Sequence, residues 1–157
     1  MQNYHHEPEG YHCPFCHIIS GDFNNILTQA SDVVYQDAYT TAFIGARWWV
    51  NNPGHVIVIP NTHVENIYDL DGEQAAQIHE TARTIALALK QVYGCGGIST
   101  RQHNEPDGYQ DVWHYHLHVF PRYAGDRLYG SDYWMPSVEN RLPYADRLRQ
   151  YLLLNKG

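Results

Sequence analysis

The sequence predicts an α+β domain built on an antiparallel sheet. Three observations carry this. Short β-branched runs bounded by turn residues recur over residues 33–59 and again over 97–121. One long stretch between Asp71 and Gly94 has helical spacing instead. The joints between strands are mostly short enough for hairpins, and strands grouped around one helix argue against an alternating parallel sheet.

The elements follow in order. Residues 13–21 carry a small apolar cluster, Phe15, Ile18 and Ile19, closed by Ser20-Gly21. Residues 33–35 and 39–44 read as strands around a Gln36-Asp37 turn. Asn51-Asn52-Pro53-Gly54 is a turn, and residues 55–59 form a strand stopped by Pro60. Asp69 or Asp71 caps the long helix, whose apolar face is Ala75, Ile78, Ala82, Ile85, Leu89 and Val92. Residues 97–103 read as a strand, 104–110 as a turn-rich loop and 112–121 as the last strong strand. Residues 123–140 form an extended tail rich in Tyr, Gly and Pro, and 143–154 a short C-terminal helix. Residues 1–12 are expected to be a flexible polar segment, leaving 13–157 as a single domain with a C-terminal extension.

The chain has 157 residues, enough for one self-supporting core, and 43% hydrophobic against 17% charged residues is a globular balance. A net charge of −7 argues against a nucleic-acid polymer as partner, since such binding rests on Lys and Arg neutralising many phosphates. It leaves room for one small phosphorylated ligand. The three cysteines, with one tight pair, do not make a secreted disulfide framework. No apolar run of about 18 residues is present to span a bilayer. The expectation is a soluble cytoplasmic protein with no membrane partner.

Chemistry concentrates in His114-Tyr115-His116-Leu117-His118. Side chains on a strand alternate faces, so His114, His116 and His118 share one face at a spacing of about 7 Å, with Tyr115, Leu117 and Val119 on the other. Such a row can bind a metal or handle phosphate, with a neutral imidazole attacking phosphorus and a neighbouring imidazolium donating to its oxygens. A histidine-rich exposed strand without a role is the plain alternative. Cys13 and Cys16 have metal-ligand spacing, and the plain alternative there is a pair of small buried residues or a redox pair.

The His-x-His-x-His segment resembles the histidine-triad family. Gly54-His55-Val-Ile-Val-Ile-Pro60 followed by His63, Cys13-Pro-Phe-Cys16, and Asn104 with Gln110 resemble further family motifs in the same order, over residues 13–122. Pro121-Arg122 after the triad is similar to the bacterial and dinucleoside-polyphosphate branches. The resemblance implies a five-stranded antiparallel sheet with one long helix, a homodimer, and a nucleotide as small-molecule substrate. It implies that His116 attacks the α-phosphorus to form a nucleotidyl-histidine, that the His114 carbonyl fixes the His116 tautomer, and that His118 and Gln110 bind phosphate oxygens while Asn104 holds the ligand or the loop. The activity would be that of a nucleotide hydrolase or nucleotidyl transferase, with a non-catalytic nucleotide-binding protein as the alternative. An acid limb near the imidazole value of about 6.5 would follow. In some bacterial members the cysteine pair is completed by the histidine of the Gly-His strand and the first triad histidine, which implies a structural Zn2+ on Cys13, Cys16, His55 and His114. His12 and His17 compete as ligands. A catalytic metal on the triad itself is disfavoured, because positions on one straight strand fan apart.

The chain departs from the family at the ribose end. The expected Asp falls near Gly45, within a loop about two residues longer than usual. Arg47 is the candidate for a replacement phosphate or ribose contact, and Trp48 or Trp49 for stacking on a base. The loop from Asn104 to Gln110 also lacks the usual glycine before Gln110. Both departures point to a substrate other than an ordinary adenosine nucleotide.

Overall fold

A computed structural model describes residues 4–155. Helix α1 (Pro14–Ser20) is followed by strands β1 (Val33–Gln36), β2 (Thr40–Ile44), β3 (Trp48–Trp49) and β4 (Val56–Pro60). Helix α2 (Gly72–Tyr93) leads to β5 (Gly97–Gln102), β6 (Leu117–Arg122), β7 (Tyr133–Trp134) and helix α3 (Val138–Leu154). Five strands form one sheet in the order β1-β2-β4-β6-β5, every neighbouring pair antiparallel. β3 and β7 pair separately, Trp48 opposite Trp134. The class and the strand number agree with expectation.

Strand alternation divides the molecule. Ala42, Ile44, Val56, Val58, Leu117 and Val119 point to one face, where they pack on Ile78, Ile85 and Leu89 of α2 and Leu148 of α3. Phe43, Ile57 and Ile59 point to the other, under Phe15 and Ile18 of α1. β2 and β4 are therefore buried along their whole length, which is why they read as continuous apolar runs. His118 and Phe120 have the parity of the second face.

Asp71 is the cap of α2. Its carboxylate accepts from the Gln74 amide at 2.8 Å, and the Gln74 side chain accepts from the Asp71 amide at 3.1 Å. Gly94 ends the helix in the left-handed conformation, φ 65°. Helix α3 differs from expectation. It starts at Val138, capped by Ser137, and runs through Pro143. Pro143 reads as a first-turn residue, but the start is set by Ser137 and by the buried Arg141, which grips Asp32 with two hydrogen bonds of 2.8 Å. β6 begins at Leu117, five residues late, because residues 104–116 form a loop.

The N-terminal segment is irregular but anchored over residues 4–7. The His6 amide donates to Glu65 Oε1 at 2.6 Å, and Asn66 Nδ2 donates to the Tyr4 carbonyl at 3.0 Å. Among the described residues, no helix is long and apolar enough to cross a membrane.

Candidate functional site

The second face of the sheet opens into a cavity of about 870 Å3. Phe15, Ile18, Phe43 and Ile57 give it an apolar wall, Arg101 lies across the sheet beyond His118, and His103, Gln110, Trp113 and His116 also line it.

The structure divides the triad. His116 is buried, and its Nδ1 lies 2.7 Å from the His114 carbonyl, which can only accept. Nδ1 therefore carries the proton and Nε2 keeps its lone pair. Burial lowers the His116 pKa, opposed in part by that hydrogen bond, so an acid limb belongs below the ordinary imidazole value. Burial, then the adjacent His116, hold His118 well below its usual value. The two rings are 5.2 Å apart. His114 does not join them at the cavity. It precedes the strand, its Nε2 donates to the Pro60 carbonyl at 2.9 Å, and its Nδ1 faces Cys13 Sγ at 3.4 Å and Cys16 Sγ at 3.7 Å.

Four donor atoms converge there: Cys13 Sγ, Cys16 Sγ, His63 Nδ1 and His114 Nδ1, all within 4.8 Å of one another. Two thiols and two imidazoles at this separation suit tetrahedral zinc. Both imidazoles are pre-aimed, since Nε2 of His63 is held by Glu7 at 2.7 Å as Nε2 of His114 is by Pro60. Burial, then Cys13, push the Cys16 thiol up to about 12, so a cation is what would let that sulfur ionise.

The expectation that His55 joins this set is corrected: His63 takes its place. His55 stands at the opposite end of β4 from Pro60, where the chain turns back and lays His63 4.9 Å from the His114 ring. His17 bonds Asp22 at 3.0 Å instead, and His12 is outside the cluster. The His55 ring is fully buried, stacked 4.6 Å from Phe120, and neither of its nitrogens has a partner among the described residues. It also fills the space beside Gly45, where a Cβ would lie 2.3 Å from His55 Nε2.

Other expected residues sort differently. Gln110 borders the cavity, but its amide is engaged by the loop: Nε2 donates to the Glu65 and Val112 carbonyls at 2.6 and 3.0 Å, and Oε1 accepts from the Glu105 amide at 2.9 Å. Asn104 faces away from the cavity and accepts from the Ile67 amide at 2.8 Å, while its neighbour His103 lines the wall. Arg47 is exposed at the rim, 5.0 Å from the Tyr133 ring. Trp48 is core, donating to the Gly45 carbonyl at 2.7 Å and packed on Tyr144, so Trp49 is the tryptophan of that loop on the cavity. Sequence reasoning missed Arg101 and His103. Their signal was available in part: alternation along residues 97–103 puts both on one face, but only the register shows that Arg101 lies opposite His118.

The HIT domain family model matches residues 27–125. The protein named hit of Bacillus subtilis is 34% identical over 131 residues, covering 83% of this chain and 84% of that protein. A bis(5'-adenosyl)-triphosphatase of Saccharomyces cerevisiae is 32% identical over 108 residues, 65% of this chain and 52% of that one. A zinc-bound histidine triad family protein from Mycobacterium smegmatis superposes with a TM-score of 0.75 at 29% identity, over 90% of this chain and 94% of the other. With the triad in place on a matching sheet, the chain belongs to the histidine triad (HIT) family.

Proposed function

We propose that the protein hydrolyses or transfers nucleotides at the α-phosphorus through a nucleotidyl-histidine on His116. The observation that carries this is the 2.7 Å contact from His116 Nδ1 to the His114 carbonyl, which leaves Nε2 as a neutral nucleophile at the cavity. Nε2 attacks phosphorus, the bond to the leaving oxygen breaks, and its electron pair departs with the leaving group. Nδ1 keeps its proton and holds the imidazolium charge against the carbonyl. Water then attacks phosphorus, the P–N bond breaks, and Nε2 regains its lone pair as the water gives up a proton. His118, whose Nδ1 has no partner among the described residues, donates to phosphoryl oxygens in this scheme. The Gln110 loop shapes the phosphate end, and a base packs over Phe15, Ile18 and Phe43, with Arg47 at the rim and Trp49 on the Arg101 side of the cavity. The name of the yeast relative, a bis(5'-adenosyl)-triphosphatase, supports a nucleotide anhydride as substrate.

Cys13, Cys16, His63 and His114 would hold a zinc ion in a closed site that supplies rigidity, not a reactive position. His114 then serves twice, its ring in the metal site and its carbonyl on His116. The zinc-bound relative supports this. Within the same reading the protein is a cytoplasmic homodimer with no nucleic-acid or membrane partner; sedimentation tests the assembly.

A second reading, nucleotide binding without turnover, is favoured by one observation: Gln110 has its amide engaged by backbone. Release of nucleoside monophosphate from diadenosine polyphosphates, adenylyl sulfate, phosphoramidates and nucleotide sugars decides between them. Release by the wild type that disappears in His116→Ala supports the enzyme. Binding without release from any of them supports the second reading.

A further inference from the structure

The buried Arg141 pairs with Asp32, and Arg122, on the strand beside β5, pairs with Asp126. Arg101 does neither. Its Nε is buried without a partner, and no described residue accepts a hydrogen bond from its guanidinium or forms an ion pair with it. The group is held among rings, 4.8 Å from Trp49, 5.1 Å from Phe120 and 5.4 Å from Tyr129. Those rings shield Nε from water on a charge that cannot be lost. The histidines on this face, His55, His116 and His118, offer it no anionic partner, and Asp111 acts on it through space without contact. A guanidinium whose Nε is buried without an acceptor carries a cost, and a ligand oxyanion meeting it from the cavity would reduce that cost.

Its place gives the direction. Across the sheet the register runs Arg101, His118, Ile57, Phe43. The apolar wall lies on one side of His118 and Arg101 on the other. A base over Phe43 and a phosphorus at His116 put the departing group on the Arg101 side. We infer that Arg101 forms an oxyanion subsite for the leaving group, so that the substrate is a nucleotide anhydride whose departing part itself carries phosphate or sulfate. This rests on the nucleotidyl-histidine reading above.

The test is steady-state kinetics on three substrates that share an adenosine 5'-phosphoryl group. Attack at the α-phosphorus expels ADP from diadenosine triphosphate, sulfate from adenylyl sulfate, and ammonia, with no oxyanion, from adenosine 5'-phosphoramidate. Arg101→Met is expected to lose about 10- to 100-fold more kcat/KM on an anhydride than on the phosphoramidate, the worth of charged hydrogen bonds. Arg101→Lys, which keeps the charge and loses the fork, is expected to fall between. The anhydride with the larger selective loss identifies phosphate or sulfate as the group read. Equal loss on all three substrates would overturn the subsite and leave Arg101 as a packing wedge. If Arg101→Met does not fold, Arg101→Lys alone decides by the same comparison. His116→Ala is run alongside: release that persists in it removes the nucleotidyl-histidine reading itself, whereas abolished release with uniform Arg101 losses removes the subsite alone.

Discussion

Gly45 is kept a glycine by its neighbour, not by its own backbone. A Cβ there would sit 2.3 Å from His55 Nε2. Gly45→Ala should therefore destabilise the protein by about 1–3 kcal/mol, as overpacking does, and lower Tm by about 2–12 °C in thermal unfolding. The same substitution should cost less in a His55→Ala background; an equal cost in both would rule out the steric explanation. His55 also makes stability pH-dependent. Burial, then the Arg101 charge, lower its pKa to about 3, against about 6.5 in the unfolded chain. Its contribution is fully present above about pH 6.5, and is lost as pH falls from there toward 3, because the unfolded state binds the proton first. Urea titrations across that window should show a steeper acid loss in wild type than in His55→Phe. Of the triad only His118 was readable from alternation, which separates it from Leu117 and Val119; His114 and His116 lie in the loop before β6. The ligand histidine was not readable. The family resemblance points to His55, with His12 and His17 as competitors, and the turn after Pro60 brings His63 to the cluster instead.

Among the elements, α1 and the segment before it act together on the metal cluster. Cys13 and Cys16 come from the start of the helix, while Glu7 reaches over to hold the far side of the His63 ring. Glu7→Gln should weaken zinc binding by about 10- to 100-fold in a chelator competition, as loss of an outer carboxylate does. Cys13→Ala should lose the ion, and His116→Ala should keep it; unchanged affinity in Glu7→Gln would make that contact incidental. Helix α2 was legible because cap, period and terminal glycine agree. The β3–β7 ladder was not, since two-residue strands have no period to read, and α3 was shortened because Pro143 resembles a start signal more than Ser137 does.

At the scale of the molecule, one sheet has two employments. The face under α2 and α3 is packed with Val, Ile, Leu and Ala, whereas the face under α1 mixes Phe and Ile with His116, His118 and Arg101. Strand parity alone assigns every residue of β6, His118 among them, to one or the other, whereas His114 and His116 precede the strand and parity does not place them. The cavity wall was harder to foresee because it is assembled from distant segments. Met135, ten residues past the end of the HIT domain match, lines the same space as Asn25 and Trp113. Cavity shape is thus a product of topology, and no local window of sequence contains it.

The Gly45–His55 contact also bears on redesign of the ribose end. With the His55 ring where it stands, a carboxylate cannot be grafted at position 45 of this chain by one substitution; a second change that shortens or moves residue 55 has to accompany it.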